Sequence, residues 1–471
     1  MAMGPLTTSV GDTPKVRELE GALNAIGTTV THKKIVFLIL IGCLFDSFEQ
    51  NTVGITAPML RAQWGLTGAD IGFLNTITFG AAATGRLASG IISDKYGRRV
   101  MLGINLLLFT IGSLLCAAAP SFGLLCVGRA IVGFGLGGEI STAVTILAEI
   151  SSAKFRGTAV GLVNVGAGGL GNFLAPAFGL LIFTLFPGDN GWRWLFLSLA
   201  LPSLLIVFYR RYIPETPRYL LSQNRTAEAN KVLSILASGR LNPKNLVVTP
   251  YLSEGGAPLP VADIDWTGIF KAPYASRTIP VTIAILMSYG AQLSVLTLLP
   301  MMMVAQGYTL SASLFYTMVI QFGSFLGTVA ASALGYKFPR KRILTMGAIC
   351  ACLASLCFGF LGANIYLLLF FGALFQFFVL VLNTTIWIYA PELYPTRSRA
   401  FGVAFILASG TAAGAIMPLV SGRVLDGYGL PGVFTMIAVM YGIFAACIQF
   451  GPETYGKSME DINVAALPET S

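Results

Sequence analysis

Residues 90–99 read Gly-Ile-Ile-Ser-Asp-Lys-Tyr-Gly-Arg-Arg, a short charged turn between two long apolar runs, 70–92 and 100–118. A transmembrane helix needs about 20 mostly apolar residues, and both runs are of that order. Helix, charged turn, helix is therefore the signature of two membrane crossings. Outward from this pair, further apolar runs fall at 35–57, 122–146, 157–186, 194–210, 279–303, 311–335, 343–362, 365–390, 401–421 and 431–450, which makes twelve. Their connections are short except for the polar, Pro-containing stretch from Arg211 to Arg277, which divides the spans six and six.

Composition agrees. Of 471 residues, 55% are hydrophobic and 11% charged, with a mean hydropathy of +0.75. A soluble domain carries about 25% charged residues, and a chain with less than half that share cannot cover itself in water. This excludes a soluble enzyme, a nucleic-acid-binding domain and a disordered protein. The one histidine, His32, leaves no material for a His-rich metal site or a His-dependent triad. No catalytic residue, cofactor or metal ligand is expected. Cys43, Cys116, Cys126, Cys350, Cys352, Cys357 and Cys447 all lie in apolar runs and read as small buried hydrophobes. Met1 to Lys34 has no apolar h-region, so the first span is expected to serve as the membrane address.

Basic residues set the orientation. With the N-terminus in the cytoplasm, only Arg61, Arg193 and Arg423 of the 30 Lys and Arg fall on outer connections. Arg86 and Arg129 lie inside spans, which leaves 25 on the cytoplasmic side. That bias is the positive-inside pattern, and it places both termini in the cytoplasm. It also accounts for most of the net charge of +9: the clusters hold topology and meet anionic headgroups.

The charged turn has an echo. Gly85 with Lys95-Tyr96-Gly97-Arg98-Arg99 corresponds to Gly327 with Lys337-Phe338-Pro339-Arg340-Lys341, 242 residues on. Glu149 and Arg156-Gly157 correspond to Glu392 and Arg399-Ala400, 243 residues on, and Pro214-Glu215-Thr216 to Pro452-Glu453-Thr454, 238 residues on. Two homologous six-helix halves with substrate between them suit a rocker-type secondary transporter. The expected organisation is a cytoplasmic tail (1–34), an N-terminal bundle (35–210), a cytoplasmic central loop (211–278), a C-terminal bundle (279–450) and a second tail (451–471).

These motifs resemble the major facilitator superfamily over essentially the whole chain. Residues 90–99 are similar to its signature loop between the second and third helices, which latches the two halves on the cytoplasmic side, with Asp94 as the acidic member. The resemblance implies an all-α membrane protein, twelve transmembrane helices in two pseudo-symmetric six-helix bundles. It implies latch or gating roles for Gly90, Asp94, Gly97, Arg98, Arg99, Glu149, Arg156, Glu215, Arg218, Glu392 and Arg399. In the second copy Tyr336 and Pro339 replace Asp94 and Gly97, which argues against the same latch there. Pro214-Glu215-Thr216-Pro217-Arg218-Tyr219-Leu220, residues 387–396 with Arg399, Gly133 to Glu139 and Asp46-Ser47-Phe48-Glu49 are most similar to the metabolite:proton symporters. That branch holds bacterial nicotinate and aromatic-acid permeases and synaptic-vesicle glycoprotein relatives. Gln292-Leu293-Ser294 matches a sugar-porter fragment, but Val295-Leu296-Thr297 follows where sugar porters carry sugar-binding polar groups. A partial fifth-span antiporter motif at Gly171 to Gly179 keeps drug efflux as an alternative.

Four ionisable residues lie deep in spans: Asp46, Glu49, Arg129 and Glu139. A charge at the centre of a bilayer costs at least about 2.5–3.5 kcal/mol, and such residues face cavities and mark pathways. Asp46 and Glu49, spaced i,i+3, share a helix face. Arg129 and Glu139 are separated by about 15 Å along one helix, which places Arg129 level with the acidic pair and Glu139 further inward. Three acids against one base would bury two uncompensated charges, so one acid is expected to hold a proton in some state. Glu49 or Asp46 is expected to pair with Arg129, and Asp46 or Glu139 to carry the proton. The bland alternative is a static pair that fixes helix packing.

The second half has no comparable charge. Tyr289, Gln292, Gln321, Gln376, Asn383 and Trp387 are its polar and aromatic candidates for substrate, and Arg129 is a candidate for a substrate carboxylate. Gly166-Ala167-Gly168-Gly169-Leu170-Gly171 matches a dinucleotide string, but no strand precedes it. The expectation is a multi-pass protein of a bacterial inner membrane or plasma membrane. It would import a small organic acid, aromatic acids included, with protons, as a monomer embedded in lipid without nucleic acid. A sugar or polyol porter and a non-transporting transceptor are the alternatives.

Overall fold

The computed structural model describes residues 14–455 apart from 202–207, 210, 244, 254–267, 272–273, 335–336, 362–363 and 395, and only the backbone of 14, 268 and 396–400. Its regular elements are helical; no strand occurs among the described residues. The first half comprises α1 (Pro14–Ile26), α2 (Val30–Trp64), α3 (Gly68–Tyr96), α4 (Arg98–Ala118), α5 (Phe122–Ile150), α6 (Ala153–Asn164), a π turn (Val165–Gly171), α7 (Asn172–Leu185) and α8 (Gly191–Ser198). Two short helices, α9 (Pro217–Ser222) and α10 (Thr226–Ala237), belong to the central connection. The second half comprises α11 (Ala275–Ala305), α12 (Leu310–Leu334), α13 (Arg340–Phe360), α14 (Ile365–Glu392) and α15 (Thr396–Ile448).

Among the described residues, eight helical segments are long and apolar enough to cross a membrane, or nine if the bent pair Lys15–Ile26 and Val30–Trp64 is one span. The other expected crossings escape this count for separate reasons. α15 covers 401–421 and 431–448 of the last expected span, broken at Gly429, where φ is +65°. α3 has 29 residues, but Asn75, Thr76, Thr78, Thr84 and Arg86 dilute its apolar run. The sixth expected span, 194–210, begins in α8 and includes residues outside the described set.

Local chemistry sets the helix ends. Thr67 and Asp70 form a reciprocal capping box at the start of α3, with Asp70 N donating to Thr67 Oγ1 at 3.1 Å and Thr67 N to Asp70 Oδ2 at 2.9 Å. Gly65, at φ +66°, closes α2 in the left-handed conformation a Cβ would oppose. α1 was not foreseen within the polar tail. Its Val16, Leu19 and Leu23 recur at helical spacing and are buried, so a short amphipathic face docks where mixed charge alone suggested a free tail.

The helices pack through glycines, as expected where apolar lipid gives no hydrophobic drive to association. A Cβ on Gly85 would strike the Phe134 carbonyl, and one on Gly327 would strike the Phe377 carbonyl. The pair α3/α5 is thus repeated as α12/α14 at the same offset as the sequence echo. Residues 30, 97, 152 and 340 lie at one end of the bundle, here called proximal because α1 and α10 cover it. At the opposite, distal end the halves are sealed. Gly72 lies against the backbone of Pro418 and Leu419, and Gly422 against that of Gly68. Gly68 N and Ala69 N donate to the Asp426 carboxylate at 3.1 and 3.2 Å, and Asn75 Nδ2 donates to Thr297 Oγ1.

Gly85→Val and Gly327→Val are expected to destabilise the detergent-solubilised protein alike, by about 1–3 kcal/mol each. Thermal unfolding monitored by size-exclusion recovery measures this; unchanged midpoints would show that the α3/α5 and α12/α14 contacts are loose.

Candidate substrate cavity and buried charge cluster

Proximal to the seal, both halves wall a cavity of about 110 Å³. Phe79 and Leu296 form its floor against the seal, and its walls reach towards Val160 and Trp387 near the proximal end. Ser47 and Gln50 of α2 and Asn164 of α6 contribute from the first half; Tyr289, Gln292, Asn383 and Trp387 contribute from the second. The polar groups on the second-half wall are engaged with one another. Asn383 Nδ2 donates to Gln292 Oε1 at 2.5 Å and Ser288 Oγ donates to Asn383 Oδ1 at 2.7 Å. Trp387 Nε1 donates to the Tyr289 hydroxyl at 2.7 Å. The wall therefore offers aromatic faces and few free donors.

Three of the sequence candidates for substrate lie elsewhere. Gln321 and Gln376 are fully buried inside the second bundle, joined through Ser324, whose Oγ donates to Gln321 Oε1 at 2.7 Å. Their faces of α12 and α14 turn towards each other across the glycine contact and not to the cavity. Arg129 is also fully buried and does not line the cavity. Its Nη1 donates to Glu49 Oε1, its Nε donates to Thr78 Oγ1 at 3.1 Å, and its guanidinium lies 5.8 Å from the Phe196 ring centroid.

Glu49, and not Asp46, is thus the partner of Arg129. The Asp46 side chain meets Glu139 within hydrogen-bonding reach, with the Tyr209 hydroxyl and Cys43 beside them. Helix rise alone placed Glu139 inward of both acids. The long arginine side chain explains the difference, because it spans the level between its own Cα and Glu49 while the two short carboxyls meet directly. Neither carboxyl lines the cavity, although Ser47, next to Asp46, and Ile140, next to Glu139, do.

At the proximal end, Glu215 caps α4. Arg98 N donates to its Oε1 at 3.0 Å, and Arg99 N donates to both its oxygens at 3.3 Å. Burial pushes the Glu215 carboxyl above its ordinary value, while the amides of Thr216, Arg99 and Arg98 pull it back. Gly97, at φ +102°, leaves the space this carboxylate fills. Arg98 bridges Asp94 at 2.7 Å and Glu149 at 3.3 Å. Asp94 therefore engages its own half, with its side chain 72% exposed. Arg156 and Arg218 border a groove with Glu149 under α1, and a Cβ at Gly90 would meet nothing. The Arg399 side chain lies outside the described residues.

The second half repeats this cap despite Pro339. Arg340 N and Lys341 N donate to Glu453 at 2.9 and 3.1 Å, and Arg340 reaches Glu392 at 3.4 Å. Glu453 is legible in the sequence as an element of the repeat, and its part as a cap shows only in the structure. Arg86 was missed as a site residue: it is the one charged residue lining the cavity among the described residues. The signal was present, a lone cation inside the span 70–92.

Residues 36–466 match the model of the sugar (and other) transporter family. The chain belongs to this family. The niacin transporter of Acinetobacter baylyi is 28% identical over 440 residues, 92% of this chain and 97% of that protein. The glucose transporter of Staphylococcus epidermidis is 26% identical over 448 residues, 92% and 96% of the two chains. The partially occluded inward-open structure of the xylose transporter of E. coli superposes with a TM-score of 0.74 at 20% identity, covering 91% of this chain and 99% of that one. The fold is the major facilitator fold, twelve spans in two six-helix bundles, and the protein is a multi-pass membrane transporter and not an enzyme.

Removing one member of a fully buried ion pair strands the other, at about 3–5 kcal/mol. Glu49→Gln and Arg129→Gln are each expected to lower the thermal midpoint strongly, and the double variant to recover part of the loss. Additive losses would show that the pair is not coupled.

Proposed function

We propose that this transporter is a proton-coupled symporter of a small organic acid with an aromatic or similarly flat body, working by alternating access. The observation that carries the reading is the buried contact of Asp46 with Glu139, whose sequence neighbours Ser47 and Ile140 line the cavity. Two carboxylates side by side and out of water cannot both stay ionised, so the pair takes up a proton in at least one state. The neighbouring Glu49–Arg129 pair is neutral as a unit, which leaves the carboxyl pair to gain and lose the coupled proton. Titration belongs to the pair and not to either residue alone.

The cavity supports an acid with an apolar body. Trp387 and Tyr289 offer ring faces, and Asn383 and Gln292 satisfy each other. A polyol would need many placed polar partners. The sugar or polyol porter is the second reading, favoured by the glucose transporter and the xylose transporter among the similar proteins. We place both termini in the cytoplasm of a bacterial inner or plasma membrane, so that the cavity faces the cytoplasm. The bundles at 35–210 and 279–450 enclose it within one chain, consistent with action as a monomer.

Uptake into proteoliposomes across a panel of benzoate, nicotinate, glucose and xylose tests this, with and without an imposed pH gradient. Acid accumulation driven by the gradient is expected. Asp46→Asn and Glu139→Gln are expected to abolish it while sparing counterflow. Accumulation indifferent to the gradient, with both variants fully active, would sink proton coupling; accumulation of sugars alone would establish the second reading.

A further inference from the structure

Arg86 projects from α3 into the cavity with no carboxylate among the residues that line it. Its Nη1 donates to the Leu407 carbonyl at a long 3.3 Å, and its Nε has no partner among the described residues. An arginine at this depth is costly unless something anionic or polar compensates it. Arg129 does not line the cavity, and Glu49 and Thr78 hold two of its three nitrogens, so a ligand in the cavity does not meet it. Tyr289 and Trp387 line the same cavity as Arg86, and the Trp387 indole N–H donates to the Tyr289 hydroxyl.

We propose that Arg86 is the receptor for the carboxylate of the transported molecule, and that the specificity of the cavity for acids over their neutral analogues resides there. The assignment rests on the organic-acid reading above and names the residue that enforces it. The planar guanidinium can present two parallel N–H groups to a carboxylate, one of them the unpartnered Nε. The flat body of the ligand then lies towards Trp387 and Tyr289. Leu407 belongs to α15 of the second half, while Arg86 belongs to the first. The parallel pair that includes Nε is formed with Nη2, so Nη1 keeps the Leu407 carbonyl and the ligand sits on a side chain that bridges the two halves.

The test is titration calorimetry on the purified full-length protein with benzoate and benzamide, then nicotinate and nicotinamide, each pair differing only in the anionic group. Wild type is expected to prefer the acids. Arg86→Gln is expected to weaken acid binding by about 10- to 100-fold, the factor for one charge-assisted hydrogen-bonded contact, and to bring the acid-to-amide ratio near one. Arg86→Lys is expected to restore part of that ratio. Elution profile and thermal midpoint of the variants separate loss of recognition from loss of fold. An Arg86→Gln protein that is folded and keeps the wild-type ratio overturns the role of Arg86 while leaving the acid reading intact. A wild type that binds sugars and no acid of the panel overturns both.

Discussion

A guanidinium that is fully buried within a membrane-embedded bundle must have a carboxylate beside it, and much of the first half is arranged around that requirement. Arg129 lies in α5, Glu49 in α2 and Thr78 in α3, so one side chain ties three helices together. The backbone around it is built for close approach: Gly133 lies over Thr78 and Gly137 over Ala82, where a side chain on either would strike the facing backbone. With Glu49 committed, Asp46 is left to face Glu139. The carboxyl contact proposed as the proton carrier is thus a consequence of where the arginine found its partner.

The two halves solve a second problem alike. Each has a helix whose first amides open beside the proximal end, and each covers them with a glutamate from far along the chain. Glu215 does so for α4 and Glu453 for α13, with Arg98–Glu149 and Arg340–Glu392 as parallel bridges. The backbone differs, since Gly97 sits at positive φ and Pro339 at −56°. The capping carboxylate, and not the turn conformation, is what the two copies share. Sequence comparison of the copies stressed the substitution of Tyr336 and Pro339 and so undervalued the likeness.

The fold was legible because span length and loop charge are one-dimensional properties. Twelve apolar runs, a basic excess on one set of loops and a repeat near 242 residues are visible without any knowledge of contacts. The site was legible only in part. Deep charges announce themselves, but which acid meets Arg129 depends on side-chain reach, which spacing along a helix cannot supply. Gln321 and Gln376 look as polar in sequence as Gln292 and Asn383; only the direction each face takes separates the cavity wall from the bundle interior. Arg86 failed to register for the opposite reason. It is counted with Arg129 as lying inside a span yet left out of the deep charges, although among the described residues it alone carries charge on the cavity wall. The string from Gly166 to Gly171 proved to lie in the π turn of the fifth span, with Gly171 against Ser47 and Gly169 against Thr328, so it serves helix contact.

The distribution of these charges has an electrical consequence. Asp46, Glu49, Arg86, Arg129 and Glu139 all belong to the first half, while the described spans of the second half carry no Asp, Glu, Lys, Arg or His at comparable depth. A membrane potential exerts force on charge alone, about 2.3 kcal/mol per elementary charge for each 100 mV crossed. The five sum to −1 with all ionised and to zero with one proton on the carboxyl pair, so the field's hold on the first bundle changes with that proton, while the second bundle carries no such charge. Two halves that share a fold and a capping scheme are, to the voltage across the membrane, a handle and a fixed frame.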